Sequence, residues 1–100
     1  MFNNDRYISH GINTEIELFL QLLMWEMVDE MQVEQKDYLQ VFKLEPILVN
    51  GDMVQEITHT QEKPRYEKRI VLNKLTKPVK AKIFVIDSDT YSTMLLASEY

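Results

Sequence analysis

His10 and His59 are the only imidazoles in a chain of 100 residues. Glu56 and His59 stand three apart, a spacing that binds metal from a helix. The run around them alternates like a strand, which turns the two side chains to opposite faces. A structural or solvent-facing role is therefore expected for both histidines. Asp87-Ser88-Asp89, with Asp37 or Asp5 folded nearby, would offer hard oxygen ligands to a divalent cation. The same tripeptide between two β-rich runs is ordinary turn chemistry, because such side chains bond their own backbone. Ser9, Ser88, Ser92 and Ser98 lie in no nucleophile elbow and have no histidine in a helpful local context. With only Gly11 and Gly51 there is no glycine-rich phosphate loop, and with no cysteine there is neither a thiolate ligand nor a disulfide. The expectation is a protein that is not an enzyme, with no cofactor and no metal.

Charge is distributed unevenly. Residues 1–62 carry twelve acidic and three basic side chains, residues 63–86 one acidic and eight basic, and residues 87–100 three acidic. Lys63, Arg65, Lys68, Arg69, Lys74, Lys77, Lys80 and Lys82 make up the basic block. Arg65 with Arg69, and Lys80 with Lys82, each share a strand face, so an anion-binding stripe is geometrically available, with Tyr66 and Phe84 for stacking. The chain as a whole has net charge −5 and repels phosphate at long range, so nucleic acid is the second choice.

These residues must be positioned by one domain, residues 1–100. DRYISHG reads as a short strand ended by Gly11. Thr14 and Glu17 form a capping box, with Asn13 competing as N-cap, for one helix from about Glu15 to Glu34. DYLQVFKL then alternates, with Tyr38, Gln40, Phe42 and Leu44 on one face and Leu39, Val41 and Lys43 on the other. Pro46 marks an irregularity or an edge. Asn50-Gly51 between apolar flanks predicts a type I′ hairpin from Ile47–Val49 into Met53–Thr60. Further strands are expected at Tyr66–Leu72 and Val79–Ile86, joined across Asn73 to Pro78, with Tyr91–Leu96 as a last strand or a short C-terminal helix. The fold class is α+β: one long N-terminal helix on one face of a mainly antiparallel sheet of about five strands.

At 100° per residue, Ile16, Phe19, Leu20, Leu23, Met24, Met27 and Met31 fall in a sector about 140° wide, enough for a core face. The three methionines belong there as gap fillers. Leu18, Leu22 and Trp25 form a second apolar group, with Val28 nearby, among Glu15, Gln21, Asp29 and Gln32. Either the N-terminal strand or loops wrap over this group, or it meets a partner. Leu18, Leu22, Trp25 and Asp29 are accordingly the candidate interface.

The runs RYISHGI, ELFLQLLMWEMVDE, DYLQVFKL and VIDSDTYSTMLL together resemble a family of small uncharacterised proteins from Gram-positive bacteria, the domain-of-unknown-function family numbered nine hundred and sixty. Its most specific pieces here are Asp37 to Phe42 and Tyr91 to Leu96. The resemblance implies a bacterial cytoplasmic protein and carries no activity or site residues. The first residues lack the layout of a signal peptide, and Glu17, Gln21 and Glu26 interrupt the most apolar stretch, so no membrane span is expected.

The functional expectation is a non-enzymatic protein-interaction or regulatory module, self-associating as a homodimer through the Leu18/Leu22/Trp25 side or binding another protein. One variant is an inhibitor borne by a mobile element, its acidic helix side occupying a basic site on a host protein. The alternative is nucleic-acid binding through the basic strands at 63–82, with Arg65, Arg69, Lys80 and Lys82 as the anion-binding set.

Overall fold

Alternating apolar residues make strands wherever one face can be buried, and six such runs meet in one sheet. The computed structural model describes residues 1–73 and 77–100; Lys74, within the predicted connection and the basic block, lies outside the described residues. The strands are β1 (Asp5–Ile8), β2 (Leu39–Val49), β3 (Asp52–Gln61), β4 (Tyr66–Leu72), β5 (Ala81–Asp87) and β6 (Tyr91–Leu96). Their order across the sheet is β1-β6-β5-β2-β3-β4. All neighbours are antiparallel except β1, which runs parallel to β6. The sheet is thus six-stranded and mixed, where about five strands and a mainly antiparallel pairing were expected. The difference is β1, whose partner is the last strand and so invisible to local pattern.

The hairpin is as the dipeptide predicts. Asn50 and Gly51 both have positive φ, 50° and 85°, and Val49 pairs with Asp52. Pro46 sits at an edge, since β5 pairs with β2 only as far as Leu44, and the strand beyond continues as a two-stranded arm. Tyr91–Leu96 is a strand, followed by a single 3-10 turn over Ala97–Glu99. The Asp87-Ser88-Asp89 tip is a turn in which the Asp87 carboxylate accepts from the Asp89 N–H at 2.7 Å.

The single long helix is two. Helix α1 (His10–Glu15) begins with Ser9 as N-cap, its Oγ accepting from Ile12 N–H at 3.2 Å. Helix α2 (Leu18–Asp29) starts after Ile16 and Glu17, both in extended conformation. The Thr14–Glu17 capping box does not form: Thr14 Oγ1 bonds backward to the His10 and Gly11 carbonyls, and Glu17 caps α2 without a side-chain bond. The break frees the Ile16 carbonyl, which needs a donor, while that of Ile12 already accepts from Ile16 N–H at 3.0 Å. Gln21 Nε2 supplies it, 2.7 Å from the Ile16 oxygen and 3.4 Å from that of Ile12. This explains why Gln21, assigned by period to the wet side, is buried. Helix α2 stops at Asp29, short of Glu34, although Met31 stays buried in the following loop.

Both helices lie on one sheet face. Ile12, Ile16, Leu20, Met24, Met27 and Val28 pack there with Phe42, Leu44, Ile57, Ile83, Val85 and Met94, all buried. Met24 and Met27 are in this core, while Met31, expected there on a longer helix, is buried in the loop after α2. Helix α2 is rolled by roughly 90° from the expected orientation, counted at 100° per residue. Phe19 comes out, while Gln21, Trp25 and Val28 go in.

Candidate functional site

The roll of α2 decides what the candidate interface becomes. Trp25 is only 8% exposed. Arg6, on the helix side of β1, places its guanidinium 4.7 Å from the centre of the indole ring. The same guanidinium forms a two-pronged ion pair with Asp29, Nη1 lying 3.2 Å from Oδ2, and donates to the Phe2 carbonyl at 3.1 Å. The N-terminal segment therefore wraps over half of the expected group, and Trp25 and Asp29 are engaged within the chain. Leu18 and Leu22 are not. They remain 65% and 58% exposed and are joined by Phe19 at 46%. The three form a ridge at the N-terminal end of α2, with Glu15 and Glu17 before it and Glu26, Asp29 and Glu30 beyond it on the same exposed arc. Residues 11–35 contain six acids and no Lys, Arg or His. Phe19 was missed because it completes an equally good core stripe by period alone.

Of the basic block, Arg69 and Lys82 lie on the other side of the sheet, while Lys68 stands on the helix-facing side opposite His59. Register puts Lys82 opposite Lys43, Lys43 opposite Thr58, and Thr58 opposite Arg69. Lys82, Lys43 and Arg69 thus share one row across four strands, about 14 Å long at the usual strand spacing. Lys43 was not in the expected anion-binding set; its alternation with Leu39 and Val41 was the signal, but strand order was needed to bring it into line. Arg65 and Lys80 sit just before β4 and β5, each on the rim of a different concavity. Acids interrupt the stripe. Arg69 pairs with Glu56 at 3.4 Å, and Arg65 lies 4.0 Å from Glu67.

That open sheet face is also unusually apolar. A sheet covered on one side normally alternates apolar-in and polar-out. Here the central strands are apolar on both sides, as in sheets covered twice. Phe84, Ile86, Leu39, Val41 and Leu95 all face away from the helices and are half-buried only by one another and their neighbours. Tyr7 and Tyr91, in edge-to-face contact at 5.9 Å, extend this surface, and Tyr100 stands edge-on to Phe84.

Residues singled out for chemistry resolve as structural. His59 is fully buried, stacked on Phe42 with ring centres 4.2 Å apart. Gln40 donates through Nε2 to the Asp37 carbonyl and to Gln61 Oε1, which leaves its Oε1 to accept from His59 Nε2–H at 2.7 Å. Nδ1 has no partner among the described residues. Burial, with the Lys68 ammonium adding to it, pushes the His59 pKa down to about 4. Glu56 points the opposite way, to Arg69, as strand alternation requires. Asp87 is engaged by the Phe2 and Asp89 N–H groups and by Asn4; burial works to raise its pKa, but these hydrogen bonds outweigh it and hold the carboxyl below its usual value. Glu99 accepts from Ser9 Oγ, Leu96 N–H and Gly11 N–H, so its pKa is lowered chiefly by the Ser9 hydroxyl. A β-carbon on Gly11 would come within 2.7 Å of that carboxyl, so glycine is what lets the C-terminal turn close over α1.

Shallow concavities among the described residues include one of about 400 Å3 beside Asp37, Tyr38, Arg65 and Glu67, one of about 450 Å3 beside Lys43, Glu45, Lys80 and Lys82, and one of about 390 Å3 beside Met1 and Glu34. Asp87 and Asp89 line none of the three. Among the described residues no three His, Asp or Glu side chains gather as a metal ion needs, and no helix is long and apolar enough to cross a membrane.

The family described as "Staphylococcal protein of unknown function (DUF960)" matches residues 5–99. The chain belongs to this family. Among solved structures it is similar to a protein of unknown function from Enterococcus faecalis, with 25% identity, a TM-score of 0.76, and coverage of 97% of this chain and 91% of that one. No curated protein matches. Family membership adds no ligand or activity to the surfaces described above.

Proposed function

We propose that this family member is a protein-interaction module, without catalysis of its own, that receives on α2 a partner presenting apolar side chains fringed by basic ones. The observation that carries this reading is the exposed Leu18–Phe19–Leu22 ridge set in a stretch of six acids and no bases. Burying three large side chains is worth several kcal/mol at about 25 cal/mol per Å2, and the acids select for a basic partner and against another copy of the same helix. A regulatory role follows if the basic surface so covered is one the partner uses. The absence of catalysis is supported by His59, which is sealed in the core, and by Asp87 and Asp89, which are tied up in turn and N-terminal hydrogen bonds.

The test uses basic amphipathic helical peptides and acidic peptides of the same apolar pattern, titrated into the protein and read by fluorescence anisotropy. Binding of the basic set alone is expected, with at least a tenfold loss in the charge-neutral variant Leu18→Gln/Leu22→Gln. Equal binding by the variant removes the reading. The nucleic-acid alternative has the Lys82–Lys43–Arg69 row in its favour. Glu56 and Glu67 stand within that surface, and retention of single-stranded oligonucleotides is expected to be absent even at low salt.

A further inference from the structure

Strands β2 and β5 part company after the Leu44–Ala81 pair, and β6 already ends opposite Ile83. The start of β5 therefore forks away from β2 with no third strand on its outer side. A buried side chain holds this fork in shape. Gln55, 1% exposed, donates through Nε2 to the Glu45 carbonyl at 3.3 Å and to the Val79 carbonyl at 3.1 Å. Its Oε1 accepts from Val79 N–H at 2.8 Å. One carboxamide thus ties β2 to the segment leading into β5, and fixes the two banks that carry Glu45 and Lys80. Between the banks lies the concavity of about 450 Å3, lined by Lys43, Leu44, Glu45, Lys80, Ala81 and Lys82. Leu44 and Ala81 turn their side chains to the core, so their backbone is the floor and the four charged side chains are the walls. No residue of α1 or α2 lines it, which places it on the open face.

The charges around this hollow do not balance. Lys43 and Lys82 stand directly opposite each other, a like-charge pair that costs stability by itself. Continuing the same register puts Lys80 one row further, beside Glu45. Among the described residues no carboxylate comes within ion-pair distance of these three lysines, whereas Arg6, Arg65 and Arg69 each have one. A chain of net charge −5 thus gathers three unpaired cations at one concavity. We propose that the fork binds the phosphate of a small soluble phosphomonoester that also carries hydroxyl groups, a phosphorylated polyol or sugar. Ammonium groups are point charges without the planar geometry of arginine, so they reward concentrated charge more than the flat shape of a carboxylate. A phosphate dianion supplies that charge with three acceptor oxygens. Glu45 repels a second anionic group and accepts from a hydroxyl, which favours a polyhydroxylated ester over a diphosphate. The volume suits a small molecule, since ligand pockets span roughly 300–1,000 Å3. An extended polyanion is refused, because Glu45, Glu56 and Glu67 all stand on the same face.

The inference is independent of what α2 binds, and its test separates the two. Glycerol phosphate, inorganic phosphate and acetate are titrated into the full chain at constant ionic strength and followed by backbone amide NMR shifts. Glycerol phosphate is expected to shift Lys43, Glu45, Lys80 and Lys82 saturably, inorganic phosphate to bind more weakly, and acetate to leave them in place. Lys43→Gln/Lys82→Gln, at two exposed positions, is expected to raise the dissociation constant about tenfold or more with circular dichroism unchanged. Lys63→Gln/Lys68→Gln removes as much charge elsewhere on the surface and leaves binding as it was, as does Leu18→Gln/Leu22→Gln. Glu45→Ala is expected to erase the preference for glycerol phosphate over inorganic phosphate. Shifts that never saturate, that acetate reproduces, or that survive Lys43→Gln/Lys82→Gln overturn the proposal. So does a preference that Glu45→Ala leaves intact. Pelleting with phosphatidylglycerol vesicles that the Lys43→Gln/Lys82→Gln variant abolishes would overturn the soluble ligand and assign the phosphate to a lipid headgroup.

Discussion

His59 shows how a residue suited to chemistry can be consumed by packing. Its ring lies against Phe42, one nitrogen donates to Gln40, and the other is buried without a partner among the described residues. The folded state therefore holds the imidazole neutral, with its pKa lowered from 6.5 to about 4. A group whose folded pKa is depressed binds its proton more readily in the unfolded chain. Its contribution is full above pH 6.5 and is lost as pH falls towards 4. The linkage corresponds to about 2–3 kcal/mol across that window. Urea unfolding followed between pH 7 and pH 4.5 should show this loss, and His59→Gln should flatten it. An unchanged slope in the variant would assign the acid sensitivity to the carboxylates alone.

Among the elements, the helix break has the clearest physical logic. The sequence from Ile16 to Val28 is apolar on nearly every side, so period alone fits more than one buried face. Tertiary packing chose the face that buries Trp25 under Arg6, and the break between α1 and α2 lets Ile12 and Ile16 both reach the core. Gln21 holds that break by bonding the Ile12 and Ile16 carbonyls. Replacing it with leucine keeps the bulk but leaves the Ile16 carbonyl unpaired, and the expected cost is about 1–3 kcal/mol in chemical denaturation. A neutral or stabilising outcome would mean that this carbonyl finds another donor. Strands were far more legible than the helix. β4 and β6 match their expected spans and β5 starts two residues later than expected, because β-rich runs bounded by turn residues mark a strand locally, whichever of its faces goes inward.

For the whole molecule, the segregation of charge matters more than its total. The acidic helix layer and the row-patterned sheet face give two surfaces of different charge. Binding of a basic peptide on α2 should weaken steeply with added salt, because a cluster of like charges acts together. Fluorescence anisotropy at increasing salt checks this, and a flat slope would contradict the assignment of the peptide to the acidic side of α2.

Sequence alone determined the α+β class, most strand spans and the two faces of each, the Asn50–Gly51 hairpin, Met24 and Met27 in the core, and the family resemblance. Apart from the resemblance, which rests on runs spread along the chain, these are local properties: each follows from side-chain period or turn chemistry within a dozen residues. Only the tertiary structure decided that β1 closes the sheet beside β6, that the helix is broken and rolled, and that Arg6 takes Trp25 and Asp29 from the expected interface. It also decided that Lys43 joins Lys82 and Arg69. Each of these depends on which distant segment arrives as a neighbour, and two nearly equivalent apolar faces on one helix leave that choice to the partner that covers them.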